Sequence, residues 1–300
     1  MNYEQANKNN GKFVSKSVGA VLLTMGKRPT ELACALNSLK SQIGIELDLV
    51  IVGNGWDPAT TFPREKTLFL PENLGIPAGR NAGVEKVVGE YLFFLDDDAH
   101  LDSSSAMTTL IEKLESHPEW GLIQPRVVPD GDGQAPGRWV PRLRKGNPAE
   151  SSLATTLWEG AVIIRRALFD EIGGWPSNFF YAHEGIELIW QVYNHGYLGW
   201  YAADVTVRHP VINPTRHRDF YRLNARNRVW LAKRNLPFPI SVLYVLSWFV
   251  ISIIRMRQIS SLLSWLSGFI SGIIVSAGAK RKLSWRALFA LGRAGRFPII

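Results

Sequence analysis

Three adjacent carboxylates, Asp96, Asp97 and Asp98, close the run "FFLDDDAH" directly after large apolar residues. Like charges this close repel, so the cluster needs a cation or hydrogen-bond donors to offset it. Along a strand side chains alternate, which sends Asp96 and Asp98 to one side and Asp97 to the other, where it braces the turn. Two carboxylates on one side of a strand end make an incomplete hard-cation site, open to phosphate oxygens and water. An acidic turn leading into the cap-like Asp102-Ser103-Ser104 is the alternative. A second constellation, "HEGIEL", sets His183, Glu184 and Glu187 near the start of a helix whose apolar face is Ile186, Ile189, Trp190 and Tyr193. A carboxylate there serves either as a general base or as a partner of the helix N-terminus. The third, "PTRHRDFYRLNARNRVW", gathers Arg216, Arg218, Arg222, Arg226 and Arg228 with His217, Phe220 and Tyr221. It suits a phosphate, a lipid headgroup, or simply a solvated basic face.

The elements that must position these groups are legible as apolar runs. "VGAVLL" at 18–23 ends in a polar loop and is followed by Leu32, Leu36 and Leu39 at helical spacing; "LDLVIVGNG", "KTLFL", "EYLFFLDDD", "GAVII" and "YAADVTVRHP" repeat the strand pattern. Strands of continuous apolar character alternating with helices predict an α/β fold with a mostly parallel sheet covered on both faces. Ligands then sit beyond the carboxyl ends of the strands, where the loops 24–31, 53–57 and 96–100 hold most of the unusual polar residues. The Pro-, Gly- and Arg-rich stretch 125–150 has no periodicity and reads as a loop over the site.

Taken in order, "TMGKRPTEL", "VIVGNG", "ENLGIPAGRNAG", "FFLDDDAHLD", "GAVIIRRALFDEIGGW", "HEGIEL", "VRHP" and "RLNARNRVWLAKRNLP" resemble the family 2 glycosyltransferases, over about 18–237. That resemblance, to bacterial surface-polysaccharide and rhamnosyltransferase-like members, implies a GT-A fold (Rossmann-like) and a nucleoside-diphosphate sugar as donor. It places Thr24, Arg28 and Glu31 in the first nucleotide loop, Asn54 beside the base, and Asn73, Gly75, Arg80 and Asn81 along ribose and diphosphate. Asp96 and Asp97 join the nucleotide site, while Asp96, Asp98 and His209 hold Mn²⁺ or Mg²⁺. Relatives often carry Asp where this chain has Gly53, and Glu-Asp where it has Glu184-Gly185. Glu184 is the implied general base, with Glu187 second and His183 third, and a single base without a nucleophile motif points to inversion. Trp158, Glu159 and His183 line the implied acceptor pocket, with Arg216, Arg222 and Arg226 on an acceptor phosphate. A metal-dependent nucleotidyl- or phosphoryl-transferase would also use clustered aspartates, but the chain has no GxxxxGK[ST] phosphate loop. A non-catalytic nucleotide-sugar-binding relative is the other alternative, and Gly185 is its best support.

Charge divides the 300 residues. From Val205 onward sixteen Lys or Arg face one acid, Asp219, whereas the preceding residues hold seven more acids than bases. A basic tail on an acidic body predicts a polyanionic partner; the adjoining apolar sequence favours an anionic membrane over nucleic acid. Residues 1–17 read as a loose tail without a secretory signal, 18–235 as the enzyme domain, and 236–300 as a basic, apolar, helical membrane-associating region at the cytoplasmic face of the cell membrane. Within 258–279, Ile259, Leu262, Leu263, Leu266, Phe269, Ile270, Ile273 and Ile274 share one helical face, opposite Ser260, Ser264, Ser267, Gly268, Ser271 and Gly272. That pattern suits shallow insertion, or a helix packing its small-residue face on a neighbour; two buried helices of a globular subdomain are the alternative. An oligomer is left open. The single cysteine, Cys34, excludes a disulfide framework within the chain and reads as a buried helical thiol.

Overall fold

The computed structural model describes residues 16–141, 147–212 and 219–299. In chain order the elements are β1 (Lys16–Thr24), α1 (Pro29–Lys40), β2 (Ile45–Asn54), β3 (Thr67–Leu70), α2 (Ile76–Val84), β4 (Tyr91–Asp96), β5 (His100–Leu101) and α3 (Ala106–Ser116). There follow β6 (Trp120–Pro129), β7 (Ser152–Ala154), β8 (Ala161–Arg165), α4 (Arg166–Ile172), α5 (Glu184–Asn194), β9 (Leu198–His209), α6 (Phe220–Asn235), α7 (Ile240–Arg255), α8 (Ile259–Ile274) and α9 (Trp285–Arg293). Lys16 and Ser17, expected in the tail, open β1.

One sheet runs β3-β2-β1-β4-β8-β6-β9-β5, with β7 added to β9. Strand alternation divides its side chains between two cores. Val18, Ala20 and Leu22 of β1 pack with α1 and α3, whereas Val21 turns to the side covered by α2, α4 and α5. The sheet is mixed, which corrects the mostly parallel expectation: β1, β2, β3 and β4 are parallel, but β8 runs antiparallel to both β4 and β6. An apolar run buried on both faces carries no mark of strand direction. The strand β6 also occupies 125–129, read as loop. Register shifts beside Pro125 let the chain keep pairing with β9 despite the missing N–H. Cys34 is exposed on α1, because the buried stripe of that helix runs through Leu32, Ala35, Leu36 and Leu39 and leaves position 34 outside.

After Leu236 the chain packs back onto the sheet domain. Leu283, Leu288 and Leu291 join the core that contains α5. The small-residue face of α8 lies on α6: a Cβ at Gly268 would stand 2.0 Å from the Arg222 carbonyl oxygen, and one at Gly272 would stand 2.9 Å from that of Arg226. Small residues allow that backbone approach, and they leave Ile259, Leu263, Ile270, Ile273 and Ile274 exposed.

Candidate active site

Three parallel strands end side by side. Leu23 pairs with Asp96 and Thr24 with Gly53, so the carboxyl ends of β1, β2 and β4 deliver Thr24, Asn54 and Asp96 to one crevice. That crevice is a cavity of about 690 Å³ lined by Thr24, Arg28, Asn54, Asn73, Gly75, Asp96, Asp97, Asp98 and His209. Most of the nucleotide and metal positions expected from sequence therefore converge.

The strand stops at Asp96, and a tight turn closed by Ala99 N–H on the Asp96 carbonyl at 3.1 Å carries the next two acids. Alternation consequently does not govern Asp97 and Asp98; both line the cavity. Asp96 accepts from Arg80 Nη2 at 2.7 Å, Asp97 from Thr24 Oγ1 at 2.7 Å, and Asp98 pairs with Arg28 and with His209 Nε2 at 3.1 Å. Ligand atoms of Asp96, Asp98 and His209 all lie within 4.8 Å of one another. Two carboxylates and one imidazole suit Mn²⁺ or Mg²⁺. Burial lowers the His209 pKa, keeping the ring in the neutral form that ligates metal. Edge contacts from Trp139 and Trp158, with ring centroids 5.3 and 5.0 Å away, hold the ring in place.

The loop around Asn54 explains two further positions. Asn54 donates to Asn73 Oδ1 at 2.8 Å and accepts Leu74 N–H at 2.8 Å, fixing the turn into α2. Gly75 has φ +86°, and any Cβ there would meet the Phe180 backbone at 2.6 Å. Gly53 has no room for a side chain, because a Cβ would lie 1.9 Å from the Trp56 carbonyl oxygen.

A second cavity of about 510 Å³ shares Ile76, Asp96, Arg138, Trp158 and Tyr181 with the first and is further lined by Arg80, Glu159, His183 and Glu184. Glu184 opens α5 after a strained entry, with Phe180, Ala182 and His183 all at positive φ. Non-glycine residues hold such angles only where neighbours enforce them. Asn227 does so here, its buried amide lying 2.9, 2.8 and 2.9 Å from the carbonyls of Phe179, Tyr181 and Ala182. Burial, and then the facing Glu159 carboxylate, push the Glu184 pKa up to about 8; Glu159 is itself raised by burial. Burial holds His183 well below its usual value and neutral.

Six expected site residues are engaged elsewhere or lie outside the cavity expected for them. Glu187 is enclosed by Arg234, with contacts of 2.7 to 3.0 Å, and by Asn235 at 3.0 Å. A pair so buried is structural, since removing either member strands the other. Arg80 is 1% exposed and turns to Asp96 instead of a diphosphate. Asn81 spends its amide on Trp175 and Ser177, and Glu31 is exposed outside both cavities. Arg222 and Arg226 line neither cavity: Arg222 pairs with Asp219, and Arg226 binds the Phe179 carbonyl and stacks on Trp230. Arg228, whose guanidinium lies 3.6 Å from the Trp248 ring centroid, reaches the second cavity instead. Arg216, His217 and Arg218 lie outside the described residues. Sequence reasoning also passed over Arg138, Trp139, Tyr181 and Tyr244, all cavity-lining; the Arg-Trp pair in an aperiodic stretch was the available signal.

The Rossmann-like crevice holds an Asp-Asp-His cluster beside a buried carboxylate, and the fold is of the GT-A type. Residues 21–173, just over half the chain, match the description Glycosyl transferase family 2, and the protein belongs to that family. It is 23% identical over 252 residues to the O-antigen biosynthesis protein RfbC of Myxococcus xanthus, a match covering 73% of this chain and 20% of that protein. The chain thus spans about one fifth of that relative's length. Solved structures share the fold. The S. aureus TarS 1-349 complex with UDP superposes with TM-score 0.58 at 16% identity, covering 86% of this chain and 81% of that one. The mannosyltransferase PcManGT from Pyrobaculum calidifontis, in complex with GDP-Man and Mn²⁺, gives 0.52 at 16% identity, covering 95% and 77%.

Proposed function

We propose that the protein moves a sugar from a nucleoside-diphosphate sugar, with inversion at the anomeric carbon, onto a lipid-linked or growing polysaccharide acceptor at the cytoplasmic face of a membrane. The observation that carries this reading is the pair of adjoining cavities, one bearing Asp96, Asp98 and His209 and the other Glu184, with Asp96 on their common wall. Relatives bound to nucleotide, nucleotide sugar and Mn²⁺ support the donor class. Asp96, Asp98 and His209 would hold the divalent ion, which when bound offsets charge on the departing diphosphate. Thr24, Asn54 and Asn73 line the donor end, and Arg28 adds a cation beside the aspartates. Trp158 gives the sugar an apolar wall common to both cavities. As the acceptor oxygen bonds to the anomeric carbon, the bond from that carbon to the diphosphate breaks. The nucleoside diphosphate leaves with the bonding pair, and the hydroxyl proton passes to Glu184. One displacement of this kind inverts configuration.

The test is direct. The full chain, given Mn²⁺ and a panel of UDP-, GDP- and dTDP-sugars, is expected to release nucleoside diphosphate, and EDTA is expected to stop that release. Failure to bind or turn over any donor would sink the reading.

The acceptor half rests on the outer surface of the last three helices. Val242, Leu246, Val250 and Ile254 form an exposed stripe on α7, beside the exposed face of α8 and Trp285 and Phe289 of α9. Ile254, Ile259 and Ile274 are three-quarters exposed, at 76, 76 and 75%. Arg255, Arg257, Lys280, Lys282 and Arg286 are exposed around them. Contiguous apolar surface rimmed by cations suits the interface of an anionic bilayer. No helix among the described residues is long and apolar enough to cross one, so the proposed contact is shallow. The Ile254→Glu/Ile274→Glu variant is expected to sediment several-fold less with phosphatidylglycerol vesicles than the wild type; equal sedimentation would remove this face as the anchor.

A further inference from the structure

Gly185 follows Glu184 at the start of α5 and carries no side chain. Another side chain fills that space. A Cβ built on Gly185 would stand 2.5 Å from Cγ and Oε1 of Glu159 and 2.7 Å from its Cδ. The Glu159 carboxylate therefore takes the volume that a residue-185 side chain would occupy. Its Oε1 also accepts Gly185 N–H at 3.0 Å, setting an anion at the α5 N-terminus, where the helix dipole favours one. A second glycine clears the approach independently. A Cβ on Gly160 would lie 2.1 Å from the Trp158 ring, so the turn between β7 and β8 presents ring and carboxylate to the second cavity only because residue 160 lacks a side chain. Glu184, lining the same cavity, has a buried Oε2 without a hydrogen-bond partner.

We infer that Glu159 is a second catalytic carboxylate, delivered from the β7–β8 turn into the space left by Gly185, and that it contacts the acceptor hydroxyl together with Glu184. This inference rests on the glycosyl-transfer reading above. It makes Gly185 the clearance for an acid brought in from another element. The electrostatics agree: burial raises both carboxyls, the Glu159 charge raises Glu184 further, and Arg80 lowers both against the opposing push of Asp96. The charge on either buried carboxyl disfavours ionisation of the other, so the two titrate as a coupled pair.

Donor hydrolysis tests this without knowledge of the acceptor, since water takes the hydroxyl's place. The readout is nucleoside diphosphate released by the Mn²⁺-loaded full chain from whichever nucleotide sugar the wild type turns over. Glu159→Gln keeps the side-chain volume and the oxygen that accepts Gly185 N–H but removes the charge. Release is expected to fall at least about 100-fold, with melting temperature and nucleoside diphosphate affinity unchanged. Glu159→Ala and Gly185→Asp should each lose activity, the latter because its side chain meets Glu159. The exchange Glu159→Ala/Gly185→Asp should recover about tenfold or more over Glu159→Ala, by restoring a carboxylate to the same space. A wild-type rate in Glu159→Gln, or an exchange variant no better than Glu159→Ala, would overturn the inference and leave the glycosyl-transfer reading standing. A wild type that turns over no donor overturns both.

Discussion

Asp98→Asn is expected to lower nucleoside diphosphate release about a thousandfold and to remove its response to Mn²⁺. Asp98 is buried, with one carboxylate oxygen 3.1 Å from His209 Nε2 and the other on Arg28. The amide keeps the volume but loses the charge and one ligand oxygen, leaving Asp96 and His209 as a two-point site. Hard cations depend on carboxylate charge and ligand number, and a metal ion supplies several kcal/mol to a departing diphosphate. At about 1.4 kcal/mol per factor of ten, that loss is on the order of 10³ in rate. Asp97→Asn serves as the internal control. Asp97 accepts from Thr24 Oγ1 and lies outside the Asp96–Asp98–His209 cluster, so its variant should keep Mn²⁺ dependence while loosening the first loop. Calorimetric titration of Mn²⁺ into both variants separates the roles. Wild-type Mn²⁺ affinity and turnover in Asp98→Asn would remove Asp98 from the ligand set.

How far the sequence foretold this site depended on whether a residue's role is local. The loops that hold Thr24, Asn54 and Asp96 were readable because each follows a strand's carboxyl end, and those ends converge whatever the rest of the fold does; the roles of Thr24 and Asn54 came from the resemblance. Arg80 and Asn81 were read as diphosphate ligands on the same helix start, yet the fold turns one to Asp96 and the other to Trp175 and Ser177. Nothing within their own segment distinguishes a cation that meets a ligand from one that meets a carboxylate 16 residues away. Glu187 failed for a related reason: it sits one turn from Glu184, but its partner, Arg234, is 47 residues on. The mixed direction of the sheet was likewise invisible, because apolar content records burial and not polarity of the chain. The α8 pattern was informative where two faces differed, and the small face proved to be the packed one. Glu159 lay between these cases. It was placed with Trp158 at the acceptor pocket, but its meeting with Gly185 is a product of tertiary approach alone.

Glu184→Gln is the second large effect expected, about a thousandfold in turnover with donor affinity retained. The amide preserves the packing at the start of α5, so the change removes only the capacity to take a proton. The pH profile gives the sharper reading. With the Glu184 pKa pushed up to about 8 by burial and by Glu159, about one tenth of the group is ionised at pH 7. A base acts in its ionised form, so the wild-type rate should climb about fivefold from pH 7 to pH 8 and flatten above about pH 9. The residual rate of Glu184→Gln should be level across the same window. A level wild-type profile would show that no group of raised pKa accepts the proton, and Glu184 would lose its assignment. Glu159 supplies a further check on the same limb. Two interacting carboxyls titrate as a pair, so replacing Glu159 by Gln withdraws the negative charge that holds Glu184 up. The rising limb of that variant's remaining activity should then move to lower pH. A limb left in place would mean that the Glu159 charge does not hold the Glu184 pKa up and that the two carboxylates are not coupled.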